Sequence, residues 1–335
     1  SQKDDVILKS LLFIAVYLAF SSLSYANTDL PGLSKFINEM HEQHGFDKAE
    51  LASTFEQVEV KKSILKAISR PAEKSKPWYD YRKIFITQKR IKGGVAFWQA
   101  HEDALAKAEL EYGVPAEIII AILGVETSYG GNVGSYRVVD ALSTLAFRYP
   151  PRSKFFRKEL GHFLSLTREE KMPILSPIGS YAGAMGLGQF MPSSYRAYAV
   201  DFDGDGRRDI WTNPVDAIGS IANYLSRHGW IAGESIAHKT TVADGVPTML
   251  LEKGNKPSIN REQLHDAAVS TMSLPIDANH LALITLTQPE GEEYWLTRQN
   301  FYSITRYNHS RMYAMVVTQL AALVRQQYEP TNDKE

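Results

Sequence analysis

The segment Ala116-Glu117-Ile118-Ile119-Ile120-Ala121-Ile122-Leu123-Gly124-Val125-Glu126 limits what this chain can become more than any other. With Pro115 at its first position it reads as a helix, because proline there gives up an N–H that has no partner anyway. Counting back from Glu126, Leu123, Ile122 and Ile119 stand at i−3, i−4 and i−7 and share its face. Such a stripe points into a protein, so it carries one carboxylate inward. The run Thr127-Ser128-Tyr129-Gly130-Gly131 must break the helix, which leaves Glu126 at its negative end. Burial and the helix dipole both disfavour the ionised form. A carboxyl group that holds its proton near neutral pH is what general acid catalysis requires. A structural glutamate bonded to the glycine turn fits these features equally well.

A length of 335 residues suggests two or three domains. The formal net charge of −1 gives no reason to expect nucleic acid or an anionic membrane as partner. Cysteine is absent, which excludes disulfides, thiolate metal sites, a cysteine nucleophile and a lipid-bearing cysteine. At the N-terminus Lys3 and Lys9 precede an apolar run from Leu11 to Phe20, and Ser24 and Ala26 are small. The expectation is a signal peptide over residues 1–26, cut after Ala26, since a spanning helix needs about 18 or more apolar residues. The mature protein is then expected to be soluble and, in a bacterium, periplasmic.

Helical spacing governs the next stretch, with Phe36, Ile37, Met40 and His44 on one stripe and Ile64, Leu65 and Ile68 on another. Ser69-Arg70-Pro71 ends the second helix. Lys76 to Arg82 reads as an aromatic loop, and Gly94 to Tyr112 as helix. Thr240 to Met249 and Leu281 to Thr287 gather β-formers between turn residues, which predicts a small β-rich unit. Helix returns at Phe301, with Met312, Met315, Val316 and Leu320 on one stripe. The textures divide the chain into 27–111 joined by 301–328, then 112–230, then 231–300, with a polar tail at 329–335.

Two further constellations carry chemistry. Ser180-Tyr181-Ala182-Gly183-Ala184-Met185-Gly186-Leu187-Gly188-Gln189-Phe190-Met191-Pro192-Ser193-Ser194-Tyr195 sets glycines beside aromatics and an amide. Small residues let a ligand approach the backbone, and aromatic faces with amide edges suit a sugar ring. No lysine and no strand–GxGxxG–helix context point to phosphate. A tight helix-packing loop is the simpler reading of the run alone. Asp201-Phe202-Asp203-Gly204-Asp205-Gly206-Arg207-Arg208-Asp209 matches the first half of an EF-hand loop, with carboxylates at positions 1, 3 and 5 and a glycine at the turn. Arg207 would offer its carbonyl, and Asp209 stands at position 9. Position 12 is Thr212 rather than glutamate, and Asp216 is the next carboxylate able to close the site. A structural Ca2+ is expected, because three aspartates this close repel one another without a cation. A surface Asp/Gly turn is the alternative. The nine histidines form no zinc-protease motif, and no G-x-S-x-G elbow occurs.

Together these segments resemble the lytic murein transglycosylase B family. The matching runs are Lys76 to Arg82, Tyr112-Gly113-Val114-Pro115, Gly124 to Gly130, Ser180 to Tyr195, Asp201 to Trp211, Pro214 to Ser220 and Arg306-Tyr307-Asn308, in an order that covers nearly all of the expected mature chain. The resemblance implies a mainly α (α+β) fold: a lysozyme-like core, a helical domain and a small β-rich domain. It implies that Glu126 is the sole catalytic carboxyl group. It implies that Ser180 assists at the reacting sugar, and that Gln189, Phe190 and Met191 line the glycan cleft. Tyr224 would help orient the acid, and Tyr81, Tyr307, Asn308 and Arg152 would be further cleft positions. The metal site maps to Asp201, Asp203, Asp205, Arg207 (carbonyl) and Asp216. Two positions depart from the family pattern, Pro151 in place of the first of two arginines and Phe155 in place of a tyrosine. They bear on peptide-stem or subsite preference rather than on the reaction. The implied activity is non-hydrolytic cleavage of peptidoglycan strands to 1,6-anhydromuramoyl ends, with no catalytic cofactor. The expected partner is the glycan strand, bound by a monomer, and other cell-wall enzymes are left open as partners. A hydrolytic muramidase and a non-catalytic wall-binding protein are the competing readings.

Overall fold

The computed structural model describes residues 29–70 and 76–329; the expected signal peptide lies outside them. The fold is mainly helical, with one three-stranded sheet, and its contacts form two compact units. Among the described residues no helix is long and apolar enough to cross a membrane.

One unit comprises the described residues up to Ala67 together with Arg137–Pro177. Helix Leu33–His44 buries Phe36, Ile37 and Met40 and stops at Gly45, whose φ of 69° ends the helix in the left-handed region. His44, expected on the same stripe, is exposed instead. Asp47 caps Lys48–Glu56 by accepting the Glu50 N–H at 2.8 Å. Phe36 meets Phe55 and Phe147 edge-on, with ring centroids 6.0 and 5.7 Å apart. Helix Val138–Arg148 lies against Ser153–Glu169. Its buried Asp140 is paired with Arg137 at 2.7 Å and accepts the Glu59 N–H at 2.9 Å, so this interior carboxylate is structurally satisfied.

The other unit comprises Ile68–Tyr136 together with Ile178 onward. At its centre is helix Ala116–Thr127, with Ile119, Ile120, Ala121, Ile122 and Leu123 all fully buried. It is surrounded by helices Arg311–Tyr328, Gln88–Ala100, Glu102–Tyr112 and Pro214–Arg227. A helix apolar on every side needs such enclosure. Pro115 stands one place before the helix, as its N-cap residue.

The aromatic segment expected as a loop is helical over Trp78–Phe85. Pro77 supplies the extended entry, and Trp78 and Tyr81, three apart, bury one face. The expected helix from Gly94 to Tyr112 breaks at His101 into Gln88–Ala100 and Glu102–Tyr112. The final helix is also divided, into Gln299–Tyr307 and Arg311–Tyr328, with a corner at Asn308.

Within the same unit, β1 (Ala237–Thr240), β2 (Ala282–Gln288) and β3 (Gly291–Thr297) form an antiparallel sheet in the order β1-β3-β2. Thr297 pairs with both Ala237 and Ala282, and Gln288 with Gly291 across a two-residue turn. Leu250, Ile259, Leu264, Leu281, Leu283 and Leu296 make its own small core. Thr240 to Met249, expected as strand, leaves the sheet after Thr240. Gly245 sits at φ 69° and Pro247 has no N–H for a ladder, so a short helix Thr248–Leu251 follows.

The compact units cut the chain elsewhere than its texture does. Residues 137–177 join the N-terminal helices, while Arg311–Tyr328 lies against the Glu126 helix.

Candidate active site

The Glu126 helix ends as its sequence requires. Ser128 and Tyr129 turn left-handed at φ 50° and 61°, and their N–H groups return to the carbonyls of Gly124 and Leu123, each at 3.1 Å. Two consecutive non-glycine residues in that region are costly and need support from their surroundings. Tyr129 supplies it by donating its hydroxyl to the Arg90 carbonyl at 2.7 Å. Its ring fills the space left by Gly93, Gly94 and Gly124. A Cβ on Gly124 would come 2.6 Å from the Tyr129 hydroxyl. Arg90 completes the corner. Its Nε donates to the Gly124 carbonyl at 2.9 Å and Nη2 to Ser128 Oγ at 3.0 Å, while Nη1 reaches the carbonyls of Ile84 and Phe85. One guanidinium thus ties the Glu126 helix to the Trp78–Phe85 helix.

Glu126 itself is half-buried. Its Oε1 accepts the hydroxyl of Tyr313 at 2.6 Å, across 187 residues of sequence. Burial pushes the Glu126 carboxyl up to about 7, and the Tyr313 hydrogen bond opposes that rise. Of the two causes read from the sequence, burial dominates; the carbonyl end of the helix already carries the Arg90 cation. The phenols of Tyr313 and Tyr307 are both held well above their ordinary value, first by burial and then by the neighbouring Glu126. They therefore remain proton donors at any working pH.

The glycine-rich run is tied to this helix directly. Thr127 Oγ1 donates to the Leu187 carbonyl at 2.8 Å, and the Tyr307 hydroxyl donates to the Gly188 carbonyl. Gly188 is required there, since a Cβ would lie 2.8 Å from that hydroxyl. Gln189 sits at φ 54° and donates Nε2 to the carbonyls of Gly186 (3.0 Å) and Val133 (3.3 Å), which leaves its amide oxygen as an acceptor. Ser180 Oγ accepts the N–H groups of Ala182 and Ala184 at 3.2 and 3.1 Å, so its own proton is left to donate. Phe190, Tyr224 and Tyr307 pack ring against ring, with centroids 4.9 to 6.0 Å apart.

Several expected positions thus come together: Glu126, Gln189, Phe190, Tyr224 and Tyr307, with Tyr81 near enough to act electrostatically on Tyr313. Met191 is half-buried at the N-cap of helix Pro192–Tyr198. Three other expected positions have partners of their own. The hydroxyl of Tyr224, expected to help orient the acid, donates to the Arg306 carbonyl at 2.5 Å, and the hydroxyl bonded to Glu126 is that of Tyr313. Asn308 is exposed and uses Oδ1 to accept the Ser310 N–H at 3.1 Å. Arg152 belongs to the other unit, where its guanidinium stands 4.4 Å from the Phe155 ring centroid. Tyr313, Arg90 and Thr127 were not singled out by the sequence; Tyr313 stands as one tyrosine within a helical stripe of Met and Val.

In the acidic loop, Asp201, Asp203, Asp205 and Asp216 each offer an oxygen within 4.8 Å of the others. Asp201 accepts the N–H groups of Gly204, Asp205 and Gly206 at 2.9, 3.1 and 2.7 Å. Asp216 is fully buried and accepts those of Phe202, Asp203 and Asp209 at 2.8, 3.4 and 2.9 Å, which closes the loop. Asp209 turns instead to its own bend, accepting from Trp211 and Thr212. An all-oxygen set of four carboxylates with Gly206 at φ 88° suits a hard divalent cation. The loop also supports the glycine-rich run, because the Leu187 N–H donates to the Ile210 carbonyl at 2.9 Å.

A carboxyl raised by burial, beside amide, hydroxyl and aromatic groups in a mainly helical fold, has what a general acid acting on a glycan requires. The chain belongs to the transglycosylase SLT domain family, which matches residues 29–322. It is 43% identical over 304 residues to membrane-bound lytic murein transglycosylase B of Escherichia coli (strain K12), covering 88% of this chain and 82% of that one. Among solved structures it is similar to the soluble lytic transglycosylase SltB1 of Pseudomonas aeruginosa, with a TM-score of 0.84, 51% identity and coverage of 89% and 99%. It is also similar to E. coli lytic transglycosylase Slt35 in complex with calcium, with a TM-score of 0.82, 42% identity and coverage of 91% and 95%.

Proposed function

We propose that this chain cleaves the bond between N-acetylmuramic acid and N-acetylglucosamine in murein strands without water, using Glu126 alone as acid and then base. The observation that carries this is a half-buried carboxyl poised near 7 beside Tyr313, in a site whose glycine-rich run from Ser180 to Tyr195 contains no Asp or Glu. Ordinary hydrolytic glycosidases use two carboxyl groups across the bond. With one, the nucleophile comes from the substrate. Glu126 gives its proton to the glycosidic oxygen as the bond from that oxygen to C1 breaks. The muramoyl C6 hydroxyl oxygen then bonds to C1 and passes its proton to the ionised Glu126, which restores the enzyme. Ser180 donates its free proton to the sugar and Gln189 accepts a sugar hydroxyl through its amide oxygen, which together hold the ring in reactive geometry. The relatives' names and the order of matching segments support the substrate class. The acidic loop would hold a structural Ca2+ through Asp201, Asp203, Asp205, Asp216 and the Arg207 carbonyl, as the relative crystallised with calcium suggests.

Mass analysis of products from purified sacculi tests the reaction. Anhydromuramoyl ends are expected; ends heavier by one water would show a hydrolase. Tyr313→Phe tests the acid. Its loss removes the hydrogen bond that favours the ionised form, so the Glu126 carboxyl rises above about 7. The falling alkaline limb of kcat/KM should therefore move to higher pH. Turnover should drop roughly ten- to a hundredfold as the carboxyl loses its fixed orientation. A pH–rate profile identical to wild type would remove Tyr313 from this role.

A further inference from the structure

We infer that Tyr181 is a stacking platform for a pyranose ring of the glycan strand, placed beside the reacting sugar by the turn that also presents Ser180. This rests on the function proposed above and adds a substrate contact to it. Tyr181 is 42% exposed, and among the described residues no hydrogen bond, ion pair or ring contact engages its side chain. A lone exposed hydrophobic group needs no explanation by itself. Here the backbone beneath it does. The Gly183 N–H donates to the Ser180 carbonyl at 3.0 Å, with Tyr181 and Ala182 as the two central residues of the turn. Ser180 Oγ accepts from Ala182 and Ala184, and the Ser180 N–H donates to the Ala184 carbonyl at 2.8 Å. Gly183 closes the turn at φ 83°. Four hydrogen bonds thus fix a turn whose large exposed side chain takes no part in them. Gly179 and Phe190 both bridge to Met185, which holds this turn against Phe190, whose ring packs on those of Tyr224 and Tyr307. The function proposed above sets the Ser180 hydroxyl on the reacting sugar, and the Tyr181 ring stands one residue from it.

An aromatic ring presents an apolar face and, in tyrosine, a polar tip. A pyranose ring is apolar on its faces and polar at its edge, and so complements it. Because the turn is already rigid, little ordering entropy is lost when a sugar settles on the ring. A contact of this kind binds ground state and transition state alike and therefore acts on KM rather than kcat.

The test uses the full chain and peptide-free glycan strands prepared by amidase treatment. Tyr181→Ala should raise KM about five- to tenfold, in line with the usual worth of an aromatic stacking contact, and leave kcat within about twofold. Tyr181→Phe should restore the wild-type KM, because the ring and not the hydroxyl makes the contact. The melting temperature of both variants should match wild type, which separates lost binding from lost fold. An unchanged KM in Tyr181→Ala would overturn the inference. So would a rise seen only on peptide-bearing murein, since the ring would then meet the stem peptide. A wild-type protein inactive on peptide-bearing murein as well as on bare strands would instead reject the parent function.

Discussion

Glu126→Gln should fold normally and lose turnover by about a thousandfold or more, as expected when a positioned proton donor is removed. The substituted side chain would still accept the Tyr313 hydroxyl, since an amide oxygen can take the place of Oε1 at 2.6 Å. The loss would therefore report the missing proton rather than a collapsed site. The same variant should be more stable than wild type in alkaline solution. The folded carboxyl titrates near 7 against 4.5 for a free glutamate, so its neutral form is the favoured guest of the fold. Its contribution is complete below 4.5 and is lost as pH rises through 7, where the ionised form costs up to about 3 kcal/mol. Glutamine does not titrate. Denaturant melts should show Glu126→Gln ahead of wild type at about pH 8 and level with it at about pH 4. Equal stability at both pH values would mean that the carboxyl is solvated.

Asp216→Ala should destabilise the protein by about 3–5 kcal/mol, because three backbone N–H groups lose their acceptor at a fully buried position. The consequence should spread beyond the loop. Ile210 accepts from Leu187, and a Cβ on Gly186 would lie 2.5 Å from the Ile210 carbonyl, so the loop and the Gln189 run are in direct contact. Activity should fall along with stability. Calcium should raise the melting temperature of the wild type, chelation should reverse the rise, and the variant should respond to neither, having lost the carboxylate that closes the site. A wild-type melting temperature indifferent to both calcium and chelator would leave the acidic loop as a turn held by its own hydrogen bonds. Asp201 and Asp203 alone already accept four hydrogen bonds from backbone N–H groups within it.

Local signals proved legible and distant ones did not. The Glu126 helix could be read because its apolar periodicity, its proline start and its glycine stop lie within about four turns of chain. The clustering of Asp201, Asp203 and Asp205 could be read because their spacing is itself local. Tyr313 could not, since the hydrogen bond that matters joins it to a residue 187 positions away. The phenol bonded to Glu126 lies on Arg311–Tyr328, whereas Tyr224 lies on Pro214–Arg227. Two phenols in one aromatic cluster are interchangeable in sequence until geometry separates them. Trp78–Phe85 read as a loop because its first turn is crowded by Lys76 and Pro77 and its helical length is only eight residues. The break at Asn308 went unread as well, because the apolar stripe continues across it. Unit boundaries were hardest. Residues 137–177 return to the N-terminal helices through packing between helices such as Leu33–His44 and Ser153–Glu169, which periodicity does not reveal.

The most direct measurement is the titration of the Glu126 carboxyl by carbon NMR on glutamate-labelled protein, with Glu126→Gln supplying the assignment by difference. The proposed mechanism predicts a single transition near pH 7, moving upward in Tyr313→Phe. A transition near 4.5, as for a glutamate in water, would contradict it, because the group would then have no proton to give at the pH where the strand is cut.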